Sequence, residues 1–189
     1  RATMTVLEDG SVLVTGDKPN NDTYEVELPT DLRGITALRL EVLPHPSLPD
    51  GGPGRAPLFS VGDFLLSELE VTAVPADDPK AARRVPIADA SQDYAEKGRP
   101  ATLAIDGIND TGWTIKGGTG RAHAAVFEFK EDVGGDRGTR LVVTLRQDGI
   151  HQMTIGRFRL SAATDPRPVK ASGLPAEVEE ALLVPAGQR

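Results

Sequence analysis

Cysteine is absent from the 189 residues, which removes disulfides, thiolate metal sites and thiol nucleophiles together. Apolar runs are only a few residues long, far below the roughly 20 that a bilayer-crossing helix requires, so no membrane span is expected. Clustered positive charge is missing too. No block of Lys or Arg exceeds the pair Arg83-Arg84, and the formal net charge is −7. A nucleic-acid partner needs a concentrated positive field, so none is expected. The chain lacks a nucleophile elbow and a His-Glu-x-x-His run, and His45, His123 and His151 stand far apart without carboxylates at zinc spacing. With 28 acidic residues, a glycosidase pair cannot be chosen from sequence. An enzyme is therefore the least supported class. Aromatic residues are scarce as well, at 4 % against 20 glycines and 15 prolines. That balance suits short elements joined by tight turns rather than a helical bundle.

What is present is period-two alternation, which places apolar side chains on one face of a strand and polar ones on the other. Ser11 to Thr15 opens the series. Tyr24, Val26 and Leu28 alternate with Glu25 and Glu27; Leu38, Leu40 and Val42 alternate with Arg39 and Glu41. Leu65, Leu69 and Val71 oppose Glu68 and Glu70, and further segments lie at Val126 to Lys130, Leu141 to Arg146 and Arg157 to Ser161. Half-buried strands of this kind bury their apolar faces by pairing two sheets. The fold expected is all-β: an antiparallel two-sheet β-sandwich, with the charged strand residues, Glu41 among them, on solvent faces. One short C-terminal helix is predicted at Pro175 to Leu183, where Pro175 suits the first helical position.

Two stretches interrupt the rhythm. Pro44 to Asp63 carries five prolines and four glycines and is longer than a usual hairpin loop. Residues 75–87, charged from Asp77 to Arg84, read as linker-like. Asp165-Pro166-Arg167-Pro168 marks the start of a tail, so residues 1–164 are expected to form one composite module and 165–189 the tail. The opening Arg1-Ala2-Thr3 reads as a fragment boundary. An internal echo is visible as well: Leu38 to Leu43, a loop, then Phe64 to Ala73 parallels Leu141 to Gln147, a loop, then Thr154 to Ala163. Two related half-sandwiches, or a pair of small domains, would both account for it.

The most specific stretch is Ala104-Ile105-Asp106-Gly107-Ile108-Asn109-Asp110-Thr111-Gly112-Trp113. Gly107 permits a turn, while Asp106, Asn109, Asp110 and Thr111 supply oxygens within one loop. With main-chain carbonyls, such a loop can surround calcium, which takes six to eight oxygens in irregular geometry. The alternative is a polar Asx-turn in which Asp106 accepts backbone N–H bonds and Trp113 caps the core.

The Asp-Gly-x-x-x-Thr-x-Trp pattern resembles the calcium loop of galactose-binding-like jelly rolls, the group holding discoidin domains and many carbohydrate-binding modules. Leu66-Ser67-Glu68-Leu69-Glu70-Val71 resembles their closing strand, whose first Glu reaches the same ion. That strand comes last in the family and precedes the loop here, as a circularly permuted or duplicated arrangement would allow. Leu38 to Pro44, Gly52 to Ala56, Ala104 to Trp113 and Ile155 to Ser161 are similar to a segment of large planctomycete-type proteins that carry cytochrome c domains. That similarity covers nearly the whole chain.

These resemblances imply a non-catalytic module of a larger periplasmic or extracellular protein, stabilised by calcium. The metal ligands implied are Asp106, Ile108 through its carbonyl, Asn109, Thr111 and Glu68. They also imply a glycan ligand, or alternatively a spacer role against neighbouring domains of the parent chain. Sugar platforms use exposed aromatic faces, for which Trp113, Tyr94 and Phe59 are the candidates. Arg55, in Gly-Pro-Gly-Arg, is a candidate for holding a carboxylate or phosphate.

Overall fold

A computed structural model describes residues 2–172 of the chain. Alternation becomes ten strands among these residues: β1 (Ala2–Val6), β2 (Val12–Gly16), β3 (Asn21–Thr30), β4 (Ile35–Val42), β5 (Glu68–Pro75), β6 (Arg83–Arg84), β7 (Ile87–Gln92), β8 (His123–Val133), β9 (Thr139–Asp148) and β10 (Arg157–Ala163). They form two antiparallel sheets, one of six strands in the order β1-β2-β10-β4-β8-β7 and one of four in the order β3-β9-β5-β6. The architecture is the expected two-sheet sandwich. The helix predicted at Pro175 to Leu183 lies outside the described residues.

Register follows the apolar pattern, because a slip of one residue would turn every apolar side chain outward. Tyr24, Val26 and Leu28 of β3 face Leu145, Val143 and Leu141 of β9, and Leu69 and Val71 of β5 pair with Leu145 and Val143. Of the eight aromatic residues, Tyr24, Phe64, Trp113, Phe127, Phe129 and Phe158 are fully buried. Burying such a ring contributes on the order of 2–3 kcal/mol relative to exposure, so a chain poor in aromatics spends nearly all of them on its interior.

Several expectations are corrected. Glu41 is not on a solvent face: β4 lies between β10 and β8, and Glu41 is buried in a two-pronged pair with Arg159 at 2.8 and 3.1 Å. Fork-to-fork geometry of this kind offsets the desolvation of a carboxylate. Residues 75–87, expected to be linker-like, are exposed from Ala76 to Arg84 and also carry strand pairing. They contain β6, paired with β5 through Thr72 and Ala73, and Val85 is buried with its N–H on Val71 O at 2.8 Å. The segment carries the chain from the four-stranded sheet to β7 at the edge of the six-stranded one. The first part of the tail is also docked: Arg167 Nε donates to Phe129 O at 2.8 Å, Ala171 N to Ser91 Oγ at 2.8 Å, and Lys170 pairs with Asp89.

The internal echo has a spatial counterpart. β4 leads through a long loop into β5 of the opposite sheet, and β9 leads through a shorter one into β10 of the opposite sheet. β4 then pairs with β10 and β5 with β9, both antiparallel. The two sheet-crossing units thus embrace each other, and one hydrophobic cluster draws on both.

Where the units meet, Gly54 bridges Ile155 and its N–H bonds Gly62 O at 2.7 Å. A Cβ at Gly54 would lie 1.9 Å from Asp63 O and 2.2 Å from Asp63 C, atoms that a rotamer change cannot remove. Gly54→Ala is expected to lower stability by about 3 kcal/mol or more, measured by chemical denaturation; a loss below about 1 kcal/mol would show that this approach is not required.

Candidate functional site

Two largely irregular segments, 43–67 and 93–122, connect strand ends at one end of the sandwich and meet where Leu66 bridges Trp113. They are not simply surface loops, for Phe64, Leu66, Ala101, Ala104, Trp113 and Ile115 all belong to the core. Buried loop backbone needs partners, and polar side chains supply them. Asp93 Oδ1 accepts from Tyr94 N at 2.7 Å and Ala124 N at 2.9 Å, Gln92 Oε1 accepts from Ala101 N at 2.9 Å, and Asp63 Oδ1 accepts from Phe64 N at 2.8 Å and Ile115 N at 3.0 Å.

The Asp106–Trp113 loop sits on this base. Gly107 has φ of 79°, a conformation that side chains disfavour, and it lets Asp106 Oδ1 take the Ile108 N–H at 2.8 Å. The Asx-turn is therefore formed. Glu68, at the start of β5, reaches the loop and accepts the Gly107 N–H at 2.7 Å. Thr111 Oγ1 lies 2.8 and 3.1 Å from Asp106 Oδ2 and Oδ1 and 2.9 Å from Ile108 O, so three acceptor oxygens compete for one hydroxyl proton. Burial pushes the Glu68 carboxyl above its ordinary range, and the Asp106 charge pushes it further, against the lowering effect of the Gly107 N–H. Asp106, Ile108, Thr111 and Glu68 are thus brought together. Asn109 is exposed and joins none of these bonds. Among the described residues no group of three or more His, Cys, Asp or Glu could hold a metal, so any ion here would depend on carbonyl and hydroxyl oxygens as well as the two carboxylates.

The candidate ligand residues are distributed differently from expectation. Trp113 is no platform: it is fully buried, edge-on to Phe64 with centroids 5.1 Å apart, and its Nε1 donates to Tyr94 O at 3.0 Å. A large ring whose single polar atom is satisfied is most stable inside. Arg55 is buried as well; its Nη2 donates to Gly16 O at 2.9 Å and Asp17 O at 2.7 Å, clamping the turn after β2 to the long loop. Tyr94 is half-buried, stacked on His123 at 5.1 Å, with its hydroxyl on Lys116 O at 2.9 Å. His123 in turn holds Asp93 Oδ2 at 2.9 Å and Gly118 O at 2.8 Å. Phe59 is the aromatic ring left outside, 80 % exposed and tilted against His151 with centroids 4.6 Å apart.

Ser60 and Ile150, the sequence neighbours of Phe59 and His151, line a cleft of about 400 Å³ whose walls also include Asp63, Glu96, Asp110 and Lys116. Asp110 follows the oxygen-rich turn, so loop and cleft adjoin. Asp63 closes the proline-rich stretch. Its signal in the sequence is faint: an acid directly ahead of the apolar run Phe64-Leu65-Leu66, in a loop too long to leave its amides unpaired. It is fully buried, and its Oδ2 has no hydrogen-bond partner among the described residues. Burial lifts its carboxyl from 3.8 to about 6, only partly opposed by the two N–H bonds.

No helix among the described residues is long and apolar enough to cross a membrane. No protein-family model, curated protein or solved structure matches the chain.

Because Asp63 holds its proton more tightly when folded, its contribution favours the native state below about pH 4 and is lost as pH rises to about 6. The change is expected to be about 2–3 kcal/mol. Asp63→Asn keeps an acceptor for Phe64 and Ile115, and should remove this decline; equal pH profiles for the two proteins by urea denaturation would contradict the assignment.

Proposed function

We propose that the chain is a non-catalytic carbohydrate-binding module of a larger extracytoplasmic protein, stabilised by calcium at the Asp106–Trp113 loop. The observation that carries the binding reading is an exposed aromatic ring, Phe59 tilted against His151, on the same loop as Ser60 and Asp63 of a cleft with mixed polar and apolar walls. Sugars present apolar C–H faces to rings and hydroxyls to carboxylates and amides, and this pairing offers both. The cation reading rests on the crowded oxygens of Asp106, Ile108 and Thr111, with Glu68 bonded to the same turn. A divalent ion would relieve that crowding, drawing on Asp106, Glu68, the Ile108 carbonyl and Thr111 Oγ1. The location outside the cytoplasm follows from the resemblance to planctomycete-type proteins.

A spacer role is favoured by one observation: Leu58, Phe59, Val61 and Ile150 are exposed at the same end. A contiguous apolar rim suits contact with an adjoining domain. The two readings separate in solution.

Calcium at ~10 mM, above the millimolar constants of weak extracellular sites, is expected to raise the melting temperature by several degrees. Asp106→Ala should abolish the rise, and an unchanged Tm in the native chain would remove the calcium reading. In affinity electrophoresis on soluble polysaccharides, the native chain should be retarded and Phe59→Ala should lose about 3- to 10-fold in affinity. Migration unaffected by every polysaccharide, with calcium present, would favour the spacer.

A further inference from the structure

The outermost strands of the two sheets are β1 and β7 in one and β3 and β6 in the other, and an outer strand offers unpaired N–H and C=O groups to any strand that can reach it. Three of these edges are blunted. β3 carries the exposed carboxylates Glu25 and Glu27 and the exposed Pro29, and β6 is two arginines. β7 shifts register between Ile87 and Asp89, and the docked residues Lys170 and Ala171 lie along it through Asp89 and Ser91. β1 differs. Ala-Thr-Met-Thr-Val holds no charge, proline or glycine, is exposed over most of its length and pairs with β2 in unbroken register.

The hairpin fixes which backbone groups face outward. Leu7 N donates to Ser11 O at 2.7 Å, and on the far side of β2 Val14 N donates to Gly156 O at 2.8 Å. In the antiparallel alternation Thr3 and Thr5 therefore turn their backbone groups to β2, while Ala2, Met4 and Val6 turn theirs away. An antiparallel copy of the same strand, related by a two-fold axis at Met4, places Met4 opposite Met4 and Ala2 opposite Val6, so each outward group of these residues meets a partner. Thr3 then stands opposite Thr5, and no like charges meet along the strand. Met4 and Val6 are exposed apolar side chains. Met4 also borders a cleft of about 400 Å³ shared with Asp22, Tyr24 and Glu25, space in which two flexible thioethers can repack. We infer that the chain associates as a two-fold dimer through β1, which joins two six-stranded sheets edge to edge. A second copy is the occupant this edge specifies, because a two-fold contact requires a surface that complements itself. The dimer is independent of any ligand at the loop end.

Sedimentation of the full chain from about 10 µM to about 1 mM, in about 0.5 M salt to screen the −7 charge of each copy, is expected to show a reversible dimer. Met4→Pro removes an outward N–H and leaves the bonds to β2 in place. It should weaken association at least about tenfold while circular dichroism shows the same fold. Because the chain has no cysteine, single cysteines read the register. Cα atoms of a hydrogen-bonded pair lie about 5.5 Å apart, within disulfide reach. Met4→Cys should cross-link to a dimer on mild oxidation, and Thr3→Cys, which faces Thr5 rather than itself, should do so at least about tenfold more slowly. That comparison decides the matter should Met4→Pro fail to fold. A chain monomeric at about 1 mM would leave the edge to a strand of another protein and overturn the dimer, as would association undiminished in Met4→Pro or equal cross-linking by Thr3→Cys and Met4→Cys.

Discussion

The constraint on which this molecule depends is that two segments with little regular structure form part of its core. Segments 43–67 and 93–122 contribute Phe64, Leu66, Trp113 and Ile115 to the same cluster as the strand residues. Irregular backbone inside a core brings unpaired N–H and C=O groups with it. Buried or half-buried polar side chains at this end answer that need: Asp63, Asp93, Gln92 and Arg55 each bond backbone atoms distant in sequence from their own neighbours. A sheet-like ladder would have made these side chains unnecessary. Their presence concentrates carboxylates and a buried guanidinium at one pole of an otherwise apolar body.

That arrangement also explains why scaffolding and candidate site are hard to separate here. Asp63 serves both, fastening two loops through one oxygen while standing, buried, in the wall of the cleft. Glu68 does likewise, starting β5 and receiving the Gly107 N–H of the oxygen-rich turn. The turn and the cleft share a neighbourhood through Asp110. An ion ordering the turn would therefore fix one wall of the cleft.

Strand positions were legible wherever an apolar face repeats every second residue, as in Tyr24-Val26-Leu28 and Leu141-Val143-Leu145. Elements without that face were not. β7 reads Ile-Ala-Asp-Ala-Ser-Gln, too small and polar to announce a strand, and it is recognisable only through its pairing with β8. β6 is two arginines held by β5, and β1 is exposed along most of its length. The turn at Asp106 was legible because its chemistry is local: Asp, Gly and Thr at short spacing determine their own hydrogen bonds. The direction of an aromatic ring is not local. Trp113 and Phe59 both stand in loops beside glycine or serine, and only the surrounding packing sends one into the core and the other to solvent. The burial of Arg55 was invisible for the same reason, since its partners Gly16 and Asp17 are distant in sequence.

Phe59 and His151 each adopt φ near +60°, at 62° and 59°, a conformation that costs a non-glycine residue of order 1 kcal/mol or more. That cost falls on folding, whichever molecule later arrives. The backbone carrying the two rings is thereby set before any partner arrives, so a visitor to the phenyl face pays for ordering the side chains and little for ordering the chain beneath them.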